Sequence, residues 1–192
     1  MRMVMLGPPG VGKGTQAALL AKAKGVPHIS TGEIMRQTVA SGEELGKRVK
    51  GFLDRGELVT DDVMIEVMRE RLRQPDCAAG FVLDGFPRTL PQAEALDVLL
   101  RELEMELTHI VDLAVPESVL LERIQKRGAS GSGRSDDTME VAKRRLEVYQ
   151  AQTAPVGEYY LQRGNMIKIE SLAGVPEVQA EILAAVEQSE SV

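Results

Sequence analysis

Gly7-Pro8-Pro9-Gly10-Val11-Gly12-Lys13 fits the frame Gly-x-x-x-x-Gly-Lys, and it stands between the apolar run Met3-Val4-Met5-Leu6 and a segment of helical spacing that begins at Gly14. No other feature constrains the chain as much. An unbroken apolar run suits a strand buried on both faces of a parallel sheet, and the helix that follows aims its positive N-terminal end at the glycines. Glycines let the backbone curl so that successive N–H groups point inward, and Lys13 adds a full charge. The result is a cradle for a polyphosphate, with Gly10, Val11, Gly12, Lys13, Gly14 and Thr15 as its candidate residues. One position departs from the usual frame. Gly14 stands where Ser or Thr would offer a hydroxyl to Mg²⁺, and Thr15 follows one place later.

The apolar signature recurs at Phe81-Val82-Leu83, at Ile110-Val111 with Leu113, and from Met166 to Ile169. Helical spacing predicts helices over 14–24, 61–73, 117–127 and 175–187, with another opened by Pro91, whose missing N–H costs nothing in a first turn. Strand alternates with helix through 192 residues, which points to one α/β domain. Between Ser30 and Val59 two short helical patterns, punctuated by glycines, contain no strand candidate and read as a helical insert outside the sheet. Gly128–Gly133, Gly-Ala-Ser-Gly-Ser-Gly, is too poor in apolar residues to pack and reads as a short mobile loop. The acidic run Glu102–Glu106 reads as a solvated helix face, and Cys77 with the methionines as core filling.

Composition removes several function classes. No apolar run approaches the roughly 20 residues of a membrane-spanning helix, so no membrane role is expected. The first residues lack a signal-peptide pattern, which gives the expectation of a cytoplasmic protein. One cysteine and two histidines exclude an internal disulfide and are too few for a structural zinc site, so any metal is held by oxygens. A net charge of −6 argues against a nucleic-acid partner or an anionic membrane. An anionic ligand therefore needs cations gathered locally.

They are gathered between Arg123 and Arg145, where Arg123, Lys126, Arg127, Arg134, Lys143, Arg144 and Arg145 face only Asp136, Asp137 and Glu140. Arg123 and Arg127 are four apart on one helical face at the lip of the Gly/Ser loop, and Arg134 leaves its far side. Guanidinium forks suit phosphate oxygens and can neutralise charge on a transferring phosphoryl group. Asp84, at the end of the Phe81–Leu83 strand, either holds Mg²⁺, directly or through water, or caps a turn before Gly85. No histidine is expected near these motifs, and His28 and His109, beside strand patterns, read as structural. A phosphate acceptor has a second pKa of about 6 and is already anionic at neutral pH, so it needs no base. Arginines without a base favour a phosphate acceptor.

The residues resemble those of the nucleoside monophosphate kinases, and among them the adenylate kinases, nearly from end to end. Gly7–Gln16 is similar to that family's donor loop, including Gly14-Thr15, which implies that Mg²⁺ is held largely by nucleotide and water. His28–Arg36 resembles the start of the acceptor lobe; the resemblance implies that Thr31 touches adenine and Arg36 grips the AMP phosphate. Glu57-Leu58-Val59 matches the segment lining the base. Asp84-Gly85-Phe86-Pro87-Arg88-Thr89-Leu90-Pro91-Gln92 is the most telling stretch, implying AMP-phosphate binding by Arg88 and adenine recognition by Gln92. A side-chain amide offers donor and acceptor together, as adenine does. Pyrimidine monophosphate kinases typically carry Ala and Asn at the positions of Thr31 and Gln92.

The resemblance further implies a P-loop fold of three layers with a five-stranded parallel sheet. It divides the chain into a core (1–29, 60–122 and 138–192), an AMP lobe (30–59) and a short lid (123–137) without zinc. Arg123 and Arg127 would face ATP, Arg134 and Arg145 the transferring and AMP phosphates, and Ala173 the ATP adenine by its backbone. The implied activity is reversible Mg²⁺-dependent phosphoryl transfer from ATP to AMP by a monomer, balancing the adenine nucleotides. Two other readings stay open on the residues alone. A P-loop kinase of a small alcohol would use Asp84 as base, and a nucleotide-dependent switch would bind without turnover, though the N-K-x-D sequence of GTPases is absent.

Overall fold

Side chains along a strand alternate between faces, and β1 (Arg2–Leu6) shows what that does here. Met3 and Met5 enter one buried cluster, Val4 and Leu6 another on the opposite face. β3 (Phe81–Asp84) divides likewise, with Phe81 and Leu83 on the Val4 side and Val82 on the Met3 side. Both faces are apolar because both are covered. The computed structural model, which describes residues 1–42, 44–129, 138–164 and 166–190 (the side chains of residues 127–129 and 190 excepted), has a five-stranded sheet in the order β2-β3-β1-β4-β5. Every neighbouring pair is parallel. β2 is His28–Ser30, β4 is His109–Ala114 and β5 is Met166–Glu170. The three-layer α/β architecture expected from the sequence is present.

The helices are α1 (Lys13–Lys24), α2 (Thr31–Ala40), α3 (Glu44–Asp54), α4 (Asp61–Leu72), α5 (Leu90–Glu102), α6 (Glu117–Ala129), α7 (Met139–Val148), α8 (Ala154–Leu161) and α9 (Val175–Glu190). α4, α5 and α8 cover the Val4 face through Met68, Leu96 and Tyr160, while α1 and α9 cover the other through Leu20 and Ile182. Capping fixes where helices begin: the Ser30 hydroxyl accepts from the Glu33 N–H and the Thr89 hydroxyl from the Gln92 N–H.

Four differences from the sequence reading have physical causes. β2 has three residues at the sheet edge and only Ile29 fully buried, too short for an apolar run to show. α6 continues through Gly128 and Ala129, the first two residues of the Gly/Ser stretch, whose remaining positions 130–133 lie outside the described residues. The Glu102–Glu106 run is not a helix face: α5 stops at Glu102 and Glu104 takes φ 55° in a turn. That turn is closed by the Met105 N–H donating to the Leu100 carbonyl at 2.8 Å, and it turns Leu103, Met105 and Leu107 onto the core. Finally, α7 runs through a wide five-residue π turn, Tyr149–Thr153, into α8, a path the sequence did not disclose.

The register places the site. Asp84 pairs with Met5 and with Ser30, so β1, β2 and β3 end together and deliver Gly7, Thr31 and Gly85 to one carboxyl edge. Ligands of open parallel sheets bind at this edge.

Candidate active site

The glycine loop wraps the start of α1 as its spacing demands. Gly10 has φ +87°, and a Cβ there would lie 2.8 Å from Ile124, so the close passage of α6 requires glycine. Arg123, on α6, donates to the carbonyls of Val11 (3.1 Å) and Ser171 (2.6 Å). The Ser171 hydroxyl donates to the same Val11 carbonyl at 3.0 Å. Val11 thus has its side chain in the core and its carbonyl occupied. Arg123 ties the loop to the β5–α9 turn, where Ala173 is exposed beside it. Lys13 Nζ bonds to the carbonyls of Gly7 (2.6 Å) and Pro8 (2.9 Å). Burial lowers the Lys13 pKa to about 8; Arg88 and Arg145 push the same way, against Asp84 and Asp112.

Asp84 stands beside Lys13 at the end of β3. Burial alone would raise its pKa, yet the nearby His28, Lys13 and Arg88 outweigh that and hold the carboxyl below its ordinary value. His28 corrects the expectation that no histidine lies near the motifs, since β2 carries its Nε2 to 3.6 Å from Asp84 Oδ2. That nitrogen makes no hydrogen bond of ordinary length and faces the Asp84 carboxylate. His109 is the structural histidine expected: its Nδ1 pairs with Thr108 at 2.7 Å and its Nε2 with Ser189 at 2.8 Å. Gly14 also has a reason, because a Cβ at that position would stand 3.3 Å from Asp84 Oδ2. The missing hydroxyl leaves its place to a carboxylate. Among the described residues no three His, Cys, Asp or Glu side chains converge to hold a metal. A single carboxylate beside a polyphosphate cradle fits Mg²⁺, which takes most ligands from phosphate and water.

On the acceptor side, Thr31 is buried and its hydroxyl donates to the Gly85 carbonyl at 2.8 Å. Arg88 Nε donates to the same carbonyl at 2.7 Å. A small apolar cavity is lined by Thr31, Met35, Leu58, Val59, Met64 and Gln92, among others. Glu57 also lines it and is held by Arg55 at 2.9 Å, which lowers its pKa. Pro87 borders the adjoining cleft, whereas Phe86 turns its ring into the core, 2% exposed, leaving only backbone to the site. Met64, Tyr149 and Thr153 line these spaces unannounced by the sequence. The last two belong to the π turn, for which no spacing rule exists.

A second and larger cleft, about 560 Å³, runs along Gly10, Gly12, Thr15, Asp84 and Arg123. Lys13, Arg36, Arg88 and Arg145 line both this cleft and the one leading to the apolar cavity. Four cations therefore stand where two bound anionic tails would meet. The side chain of Arg127, Arg134 and the pair Asp136-Asp137 lie outside the described residues.

The sequence profile of adenylate kinase matches residues 5–165. The chain belongs to the adenylate kinase family. It is 47% identical over 186 residues to the adenylate kinase of Stenotrophomonas maltophilia (strain K279a), covering 97% of this chain and 99% of that one. It is 45% identical over 187 residues to that of Sinorhizobium medicae (strain WSM419), covering 95% and 97%. The adenylate kinase of Brucella ovis is 46% identical over 187 residues, covering 95% and 96%. This member of the adenylate kinase family is thus a nucleoside monophosphate kinase, a phosphotransferase, and the paired clefts accord with two nucleotide substrates.

Proposed function

We propose the following division of labour for the reaction ATP + AMP ⇌ 2 ADP. ATP takes the larger cleft, with its β- and γ-phosphates on the N–H groups of residues 10–15 and on Lys13, and its base near the backbone of Ala173. AMP takes the other, its base against Leu58, Val59, Thr31 and Gln92 and its phosphate on Arg36 and Arg88. Arg145, with Arg134 from the segment 123–137, closes on the phosphoryl group in transit, Arg127 faces ATP, and Arg123 holds the cradle and faces the donor phosphates. Asp84 would hold Mg²⁺, directly or through water, and the ion would supply further screening of phosphate charge. Because the AMP phosphate is already a nucleophile, catalysis reduces to alignment and neutralisation. Segments 30–59 and 123–137 act as an acceptor lobe and a lid that close over the substrates and exclude water. The enzyme works as a cytoplasmic monomer.

The observation that carries this reading is the sharing of Lys13, Arg36, Arg88 and Arg145 by the two clefts. A coupled assay of ADP formation with AMP, UMP, CMP and GMP as acceptors tests it. AMP is expected to be preferred, and faster turnover of UMP or CMP would overturn the assignment.

A further inference from the structure

Asp61 begins α4, and the sequence marks it only as part of that helix's acidic first turn. Its Oδ1 accepts hydrogen bonds from Thr89 Oγ1 at 2.9 Å and from Gln92 Nε2 at 2.8 Å. At the other end of the same amide, Gln92 Oε1 accepts the Arg88 N–H at 2.8 Å. Gln92 is 2% exposed and lines the apolar cavity.

A primary amide has two donor hydrogens and two acceptor lone pairs, so these bonds leave it one of each. The order of the two is fixed by its neighbours. A carboxylate can only accept and a backbone N–H can only donate. Flipping the amide would set oxygen against oxygen at Asp61 and N–H against N–H at Arg88, in a buried site where unmade hydrogen bonds are costly. The base edge of adenine offers an acceptor at N1 and a donor at the 6-amino group. Hypoxanthine has nearly the same shape with the polarity reversed: N1–H donates and the 6-oxygen accepts. A freely turning amide could serve either base; this one cannot turn.

We infer that Asp61 is a positioning residue that, together with the Arg88 N–H, fixes the polarity of the Gln92 amide and so makes the acceptor pocket select adenine over 6-oxopurine nucleotides. The inference rests on the reading above in which Gln92 meets the AMP base.

The test compares kcat/KM for AMP and for IMP in the unaltered enzyme and in Asp61→Asn, Thr89→Val and Gln92→Ala. A carboxamide can donate as well as accept, so Asp61→Asn is expected to reduce the AMP-to-IMP ratio about tenfold, the worth of one hydrogen bond to a charged group. The change should appear in KM for the acceptors, with KM for ATP unmoved. Thr89→Val removes a bond to the same oxygen and the cap on the Gln92 N–H but leaves the polarity facing the amide unchanged, so it should lose stability while its ratio stays within about twofold of the unaltered enzyme. Gln92→Ala should collapse the ratio. If Gln92→Ala collapses it while Asp61→Asn preserves it, the role of Asp61 is refuted and the base assignment stands; if Gln92→Ala also preserves it, the base assignment itself fails. An equal loss in Thr89→Val would mean that packing, not polarity, governs, and would refute the inference too. Should Asp61→Asn not fold, Asp61→Ser, too short to reach the amide, must show the same fall.

Discussion

At the scale of a residue, the fold alters the chemistry of Lys13 at the centre of the cradle. It is folded onto the Gly7 and Pro8 carbonyls, and its pKa of about 8 lies below the ordinary lysine value. Polyphosphate favours the charged form, so binding must raise that pKa. Near pH 7 Lys13 already carries its proton and binding takes up little. At pH 9 the free enzyme is mostly neutral there, so uptake should approach one proton and affinity should fall toward tenfold per pH unit. Calorimetry of nucleotide binding in buffers of different ionisation enthalpy measures this, and Lys13→Met should abolish the uptake. Gly85 supports a second prediction. It has φ +84°, and a Cβ would lie 2.6 Å from the Thr31 hydroxyl and 2.7 Å from an Arg88 guanidinium nitrogen. Gly85→Ala must displace both and strain the backbone by about 1–3 kcal/mol. Steady-state kinetics should show KM for AMP raised tenfold or more, about 1.4 kcal/mol, with KM for ATP little changed.

Elements differ in how much of themselves they wrote into the sequence. β1, β3, β4 and α1 were legible because burial on two faces, or one stripe at helical spacing, leaves a period that local reading detects. β2 was not, since an edge strand of three residues is defined by the pairing of His28 with Val82 rather than by its own composition. The same cause hid His28 at the site: its neighbour Asp84 is 56 positions away and meets it only through that pairing. The Gly7–Lys13 loop was legible because its frame is contiguous in the chain, whereas the Asp84–Gln92 stretch stood out through its resemblance to the family. Asp61 and Tyr149 reach their places by tertiary packing, and nothing next to them in sequence marks it. The bundle that carries Arg145 is held to α5 by side chains far from the clefts. Tyr159 donates to Asp97 Oδ2 at 2.6 Å, Arg163 pairs with the same carboxylate, and its guanidinium lies 4.1 Å from the Tyr159 ring centroid. Tyr159→Phe removes both the hydrogen bond to this half-screened carboxylate and the one the Tyr159 hydroxyl accepts from Arg163 at 2.7 Å, and should lower the unfolding free energy by about 1–2 kcal/mol. Denaturant melts would register that loss, while kcat should remain that of the unaltered enzyme because none of these groups lines either nucleotide cleft.

For the molecule as a whole, the governing fact is a charge contrast: the chain carries a net charge of −6, yet four cations converge where the two clefts meet. Like charges held together destabilise the ligand-free fold, and two of them also depress Lys13. Phosphate relieves that repulsion, and relieves it most when both clefts are filled, because the same cations then serve two anions. A dinucleoside pentaphosphate that spans both clefts should therefore bind 10²–10⁴ times more tightly than ADP in either alone, the linked second contact being effectively intramolecular. Its stabilisation should be large, about 4 kcal/mol at a thousandfold excess over Kd, and visible as a rise in Tm. Arg145→Ala should weaken this ligand by about 2 kcal/mol, as expected for the loss of a charge-assisted contact. Added salt should weaken binding in the unaltered enzyme more than in the variant, because one fewer charge remains to be screened. Equal affinity for the bridged and the single nucleotides would mean that the clefts do not fill together, and that the shared cations do not serve one transfer.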